Sequence, residues 1–420
     1  MKWQMTTFSD LFLQQSKNGV NRPTRVRGEG VKMVNMGELF AYDWIADQDM
    51  ERVPLNDRES EVYLLQEGDL LFARQSLVLE GAGKCSVVKT VNEPTTFEGH
   101  IIRIRLNPDE ADPFFYFYYF RSPLSPMRAI VQQCAQAGIR ATDLAKLKVV
   151  CPPINKQRRV TKLLSAYDSL IENNRRRIQL LEQSARMLYK EWFVHLRFPG
   201  HEHVKINKGV PEGWERVSVP EIIDIDPTES IPRGTELWYV PMSSLSETGM
   251  TVDTGDFELR TEHTSTKFRN GDTLFARITP CLENGKTAFV YFLKDDEVAC
   301  GSTEFIVLRG KRVSPYFTYC LSRTHAFRGN AIKSMIGSSG RQRVQVSCFN
   351  EFYLGLPQAT LSSEFDNNVR PCFDQIRNLE VQNQQLLQAR DILLPKLMSG
   401  EVEVNLRKRK ILKEKKDASQ

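Results

Sequence analysis

Nowhere does the 420-residue chain approach the roughly 20 consecutive apolar residues that a membrane span needs, so its hydropathy excludes a helical membrane protein. A secretory leader is not expected either. The first twenty residues carry Asp10 and polar breaks instead of a basic start and an apolar run, which points to the cytoplasm. The eight cysteines (Cys85, Cys134, Cys151, Cys281, Cys300, Cys320, Cys348 and Cys372) include no Cys-x-x-Cys pair. That excludes a disulfide framework or zinc ribbon and predicts reduced, mostly buried thiols. An excess of either charge is missing from the body. Of 57 basic residues seven lie at 405–420, and of 52 acidic residues two lie there, so the preceding 404 positions carry 50 of each. Bulk charge therefore gives no argument for nucleic acid; only local clustering could. The basic tail reads as a solvated end or, alternatively, as a phosphate-contacting arm.

Catalytic signatures are absent as well. Gly285-Lys286-Thr287 resembles the end of a P-loop, but Pro280 stands where the first glycine is required. Asp112-Pro113-Phe114-Phe115 only faintly resembles an amino-methyltransferase motif, since the second proline is lacking and no glycine-rich cofactor loop accompanies it. His201-Glu202-His203 has no evident third metal ligand and reads as an exposed linker. Neither Gly-x-Ser-x-Gly nor His-Glu-x-x-His occurs. These absences fit a binding subunit without catalytic residues, metal or cofactor of its own, although a nuclease built from scattered carboxylates would leave no such motif.

What the chain does contain is a long internal repeat. Gly68-Asp69-Leu70-Leu71-Phe72-Ala73-Arg74 returns 203 residues later as Gly271-Asp272-Thr273-Leu274-Phe275-Ala276-Arg277. Leu79-Glu80 matches Leu282-Glu283, and Gly83-Lys84 matches Gly285-Lys286. Met36 and Leu39 match Met242 and Leu245, while Pro113, Phe115 and Arg121 match Pro315, Phe317 and Arg323. A solenoid repeats every 20–50 residues or so. This period is domain-sized, and a duplicated domain reads two similar objects or two halves of one.

Between the copies, residues 157–193 contain no glycine and no proline, and apolar residues fall on heptads. One seam is Leu164, Ile171, Ile178, Ala185 and Trp192; the other is Tyr167, Asn174, Leu181 and Leu188. A second such stretch spans about 362–394, with Val369, Ile376, Asn383 and Arg390 on one seam and Phe365, Cys372, Leu379, Leu386 and Leu393 on the other. Matching heptads predict two long helices packed on each other. Asn155 is the expected N-cap of the first, and Pro395 the expected end of the second. Asn174 and Asn383 either fix register within the seam or face solvent. Arg175, Arg176 and Arg177 read as a solvated or salt-bridged helix face or, alternatively, as a phosphate or partner contact.

The repeated halves read as mixed α/β. Strands are expected at 62–65, 69–72, 85–88, 101–104, 273–275, 287–290 and 305–308, with short helices starting at Pro113 and Pro315. Each half opens on a tryptophan near a strand start, Trp3 and Trp214. In both copies the Gly-Asp turn feeds a buried strand that delivers an arginine, and a loop with a Gly-Lys pair follows. That geometry suits a groove or a backbone phosphate. On residue types alone, plain surface charge is the simpler reading. Arg140 in the first copy, and Arg341 with Arg343 in the second, follow glycines ahead of each copy's last core segment. The candidate DNA-contacting set is therefore Arg74, Lys84, Arg140, Arg277, Lys286, Arg341 and Arg343.

The central helix carries a resemblance. Leu170-Ile171-Glu172-Asn173-Asn174-Arg175-Arg176-Arg177-Ile178, then Ala185-Arg186, Leu188-Tyr189, Glu191-Trp192-Phe193 and Arg197-Phe198-Pro199-Gly200-His201, resembles the central region of type I restriction–modification specificity subunits. Phe373-Asp374-Gln375-Ile376, Ala389-Arg390-Asp391 and the run from Leu393 to Glu401 resemble that family's second such region. The resemblance reaches to about Val404. It implies an α+β chain: two similar globular α/β target recognition domains joined by two long antiparallel coiled-coil helices, in a pseudo-twofold repeat. The expected bounds are 1–153 and 199–358 for the recognition domains, 154–198 and 359–404 for the helices, and 405–420 for a flexible tail. It further implies a non-catalytic subunit that reads a bipartite, asymmetric site on double-stranded DNA. Two methyltransferase subunits and the restriction–translocase subunits would dock on it, and those partners would hold S-adenosylmethionine, ATP and Mg. A helix of about 37 residues spans roughly 55 Å, about one to one and a half turns of DNA at ~3.4 Å per base pair. A coiled-coil adaptor joining two protein-binding modules, with no DNA affinity, is the alternative.

Overall fold

The computed structural model describes residues 3–133, 137–232, 234–261, 265–294, 296–338 and 340–404; Cys134 and the basic tail lie outside the described residues. The chain is α+β and divides into two compact units, Met1–Leu170 with Leu386–Gln420, and Ile171–Gln385.

Each unit is built outward from the Gly-Asp turn. Gly68 and Gly271 sit at φ +86° and +89°, a left-handed conformation that disfavours any side chain. The strands that follow, Leu70–Ala73 and Thr273–Ala276, are buried at every position. They are central strands with both faces covered. In the first unit the sheet order is Lys17–Asn18, Ile101–Ile104, Leu70–Ala73, Cys85–Val88, Trp44–Ile45. In the second it is Ile223–Ile225, Phe305–Gly310, Thr273–Ala276, Thr287–Phe289. The repeated strand thus lies between the same two antiparallel neighbours in both units, Ile101↔Ala73 corresponding to Phe305↔Ala276.

One short helix backs each sheet. Pro113–Arg121 begins with Asp112 accepting from the Phe114 and Phe115 amides, and Pro315–Ser322 with Ser314 accepting from the Phe317 amide. Proline at the first helical position and an oxygen at the cap satisfy the free amides of a helix start. Six consecutive residues, Phe115 to Phe120, are buried, and their rings form much of the first core.

The first long helix runs Ile154–Tyr189 and widens into π-helical turns at Lys190–Val194; the second runs Ala359–Ser399. In the first unit Val160 and Leu164 share a core with Leu394, Leu397 and Met398. There Arg390 bonds Asp168 at 2.7 Å, and Lys156 pairs with Glu403. In the second unit Asn174 bonds Asn383, and Trp192 and Phe193 meet Phe365 at ring-centroid distances of 6.0 and 4.9 Å. Within each unit partner numbers fall along one helix as they rise along the other, so the helices run antiparallel. Glu182, buried on the first helix, accepts from the Tyr319 hydroxyl (2.6 Å) and the Met250 amide (2.8 Å) and ties helix to sheet domain.

Three local expectations are corrected. Residues 62–65 are not a strand: Asp57–Tyr63 is helical, started by a capping box between Asn56 and Glu59. The first long helix starts at Ile154, which puts Asn155 inside its first turn. Buried Gln157 anchors that start by donating to the Pro152 and Glu110 carbonyls and accepting from the Asp112 amide. Pro395 does not end the second helix, which continues to Ser399. A mid-helix proline costs about 3 kcal/mol, and the complete burial of Leu397 and Met398 beyond it offsets that penalty.

Candidate nucleic-acid interface

The repeated arginine leaves its strand at an equivalent junction in both units. The Arg74 amide donates to the His100 carbonyl, and its own carbonyl accepts from the Ile139 amide, both at 2.9 Å. Arg277 does the same with Glu304 and Val344, again at 2.9 Å. The backbone thereby sets the loop after the repeated strand beside the loop that carries Arg140, and correspondingly beside the loop that carries Arg341 and Arg343. In the first unit a three-stranded ribbon, Gln132–Gln133, Ala137–Gly138 and Gln75–Ser76, completes the junction. In the second, Arg343 bridges to Ile278 and Ile336.

The seven candidate cations separate by what their side chains already hold. Arg74, Arg140 and Arg341 are exposed and make no side-chain hydrogen bond or ion pair with another described residue. Arg277 is half-buried, and its Nε is enclosed without an acceptor. Such a donor carries a desolvation penalty of about 1–3 kcal/mol that a bound acceptor would relieve. Three others are engaged. Arg343 forks onto Glu304 at 2.6–3.0 Å. Lys84 donates to the Phe40 carbonyl and lies over its ring at 5.7 Å, where burial pushes the amine pKa down. Lys286 donates to the Met242 carbonyl at 3.0 Å. The two lysines thus tether equivalent loops inward. Nearby Asp226 is raised above the usual carboxylate range by burial, while the Val307 amide and Arg277 pull it the other way.

Of the nominated seam residues, Leu164, Ile171, Ile178, Val369, Ile376 and Leu379 are buried, whereas Leu181, Leu188 and Leu386 are half-buried. Arg175, Arg176 and Arg177 are exposed. His201–His203 forms a short 3-10 turn in which His201 Nδ1 meets the Phe198 carbonyl at 2.8 Å. Cys85, Cys300 and Cys320 are buried free thiols, and Cys151, Cys281, Cys348 and Cys372 are half-buried ones. No helix among the described residues is long and apolar enough to cross a membrane.

Sequence reasoning missed what stiffens the junction. Asp69, fully buried, receives Arg105 in a two-pronged pair at 2.7 and 2.7 Å, and Asp272 receives Arg309 at 2.7 and 2.6 Å. The same carboxylates close the turn by accepting from the Gln66 and Arg269 amides, each at 2.8 Å. The signal was present: an arginine stands 36 residues after Asp69 and 37 after Asp272, each closing an Ile/Val/Leu strand.

Comparison with known proteins shows what the chain is similar to. Residues 3–183 match the type I restriction modification DNA specificity domain. The type I restriction enzyme MjaIX specificity subunit of Methanocaldococcus jannaschii is 23% identical over 401 residues, covering 90% of this chain and 91% of its own. The chain is thus similar to a type I restriction enzyme specificity subunit over nearly its whole length, and to the DNA specificity domain over residues 3–183. The EcoKI specificity subunit of Escherichia coli is 27% identical over 183 residues, 41% of this chain and 39% of its own. In fold, the solved type I restriction–modification S subunit from M. genitalium superposes with a TM-score of 0.55 at 14% identity, covering 97% of both chains.

Proposed function

We propose that the chain is a type I restriction–modification specificity subunit, each unit of which reads one half of a bipartite, asymmetric sequence in double-stranded DNA. Arg74 and Arg140 serve one half, and Arg277 and Arg341 the other. Arginine matches guanine edges in a two-pronged fashion, or positions the protein on phosphates. The observation that carries this reading is the equivalent junction in both units, with an arginine leaving a buried strand between two loops and making no side-chain hydrogen bond to another described residue. In the proposal the recognition domains occupy 1–153 and 199–358. The two long helices, over 154–198 and 359–404, set the interval between half-sites and dock two adenine-methyltransferase subunits. Restriction–translocase subunits complete the enzyme, and S-adenosylmethionine, ATP and Mg sit on these partners.

The test begins with sequencing methylated adenines in the host genome to obtain the motif. Binding of the chain, with and without its methyltransferase partner, is then measured on a duplex carrying that motif and on a scrambled one, at two salt concentrations. A preference for the motif, steepened by the partner, supports the reading. Equal affinity for both duplexes, or none for either, contradicts it.

A further inference from the structure

The loop after Arg74 ends in an apolar tip that the rest of the fold does not use. Leu77 is 89% exposed, Val78 60% and Leu79 45%. Three adjacent aliphatic side chains in water on one short loop are unfavourable unless something covers them. The corresponding residues of the second unit are arranged otherwise: Pro280 is exposed, Cys281 half-buried and Leu282 completely buried. The protruding tip is thus a property of the first unit alone.

The tip is also held in shape. Its base strand Gln75–Ser76 pairs with Ala137–Gly138, the Val78 amide donates to Ser76 Oγ at 3.1 Å, and the Gly81 amide donates to the Val78 carbonyl at 3.2 Å. A Cβ at Gly81 would stand 2.2 Å from Ser76 Oγ, so this close turn needs glycine. Arg74 adjoins Gln75, and Arg140 lies two residues beyond Gly138, both exposed and unpaired among described residues. Flanking cations without acceptors suit a polyanion better than an apolar protein surface. An aliphatic side chain has nothing to offer phosphate, but the major groove presents one apolar group, the C5 methyl of thymine.

Resting on the reading of the first unit as a DNA-binding module, we propose that Leu77 and Val78 pack on a thymine methyl in its half-site, while Arg74 and Arg140 hold the backbone or a neighbouring base. The first half-site therefore contains an A·T pair recognised by apolar contact, and the second half-site is read without such a tip. A held loop loses little freedom on binding, which favours this contact.

The experiment uses the full chain assembled with its methyltransferase partner and duplexes carrying the motif methylated in the host. Each thymine in turn is replaced by deoxyuridine, which removes one methyl and leaves every hydrogen-bonding group in place. Binding should weaken about fourfold at one thymine of one half-site, the loss expected for one buried methyl-sized group. Leu77→Ala should bind the unmodified duplex more weakly, and in that variant the uridine effect should vanish. Sequence-specific binding that is insensitive to uridine at every thymine overturns the proposal and leaves the DNA-reading assignment intact. Loss of methyltransferase assembly in Leu77→Ala with unchanged DNA affinity overturns it in favour of a protein contact. Failure of the wild-type assembly to prefer its motif sinks the underlying assignment together with the proposal.

Discussion

Asn174 Nδ2 donates to Asn383 Oδ1 at 3.1 Å, and the two residues, 209 positions apart, are only 7% and 5% exposed. Both are buried in the heptad seams, so each amide satisfies the other where water hardly reaches. A buried amide pair specifies register more than it adds stability. Replacing either one with Leu should destabilise the second unit by about 1–3 kcal/mol, the penalty for orphaning the remaining amide. Replacing both should recover most of that loss. Denaturant unfolding of the two single variants and the double variant measures the coupling, and additive losses would show that the amides do not depend on each other.

The Asp69–Arg105 and Asp272–Arg309 pairs make a second forecast. Each aspartate is buried and also closes the turn ahead of the repeated strand, so Asp69→Ala leaves a largely buried guanidinium without its anion. Breaking one side of a buried pair costs about 3–5 kcal/mol. Thermal unfolding of Asp69→Ala and of Asp272→Ala should show a lowered transition in each. An unchanged melting profile would mean that these carboxylates are not structural.

Much of this architecture was legible beforehand, for identifiable reasons. The seven-residue repeat gave the central strand of each sheet because a Gly-Asp turn followed by a short continuous apolar run is a local signal. The helices were legible because heptads persist over four turns or more. Other features were harder to read. The helical state of 57–63 rested on a local capping box, Asn56 with Glu59, that competes with a β-rich run, and passage through Pro395 depended on where Leu397 and Met398 are buried. Seven cations were nominated on type and spacing, and spacing cannot distinguish Lys84, turned onto the Phe40 carbonyl, from Arg74, whose side chain has no partner among the described residues. The exposed tip at Leu77 escaped notice because an aliphatic run in a strand-rich sequence reads as core.

The division among the cations gives a third forecast. Arg74→Ala, Arg140→Ala, Arg277→Ala and Arg341→Ala should weaken binding to the motif. A base contact costs about 1–3 kcal/mol and relaxes one position, whereas a phosphate contact weakens all sequences alike and lowers the salt slope by about one. Lys84→Met and Lys286→Met should instead loosen their loops, seen as faster amide hydrogen exchange at 79–84 and 281–286. Should the lysine variants change the salt slope as much as the arginine variants, the inward tethers do not persist on DNA.

A matched heptad inserted into both long helices tests the interval. Seven residues add ~10 Å, about three base pairs. The methylated motif should keep both half-sequences and gain about three base pairs between them. A motif with an unchanged spacer, or with altered bases, would show that the helices do not set the distance.

The central claim is that each unit reads its own half of the target. Its most direct test is genome-wide mapping of methylated adenines in cells carrying either Arg74→Ala or Arg277→Ala in an otherwise intact enzyme. The account predicts that each substitution relaxes or abolishes recognition in one half-site only, and that the two substitutions affect different halves. Relaxation of the same half by both, or an unchanged motif in both, would contradict it.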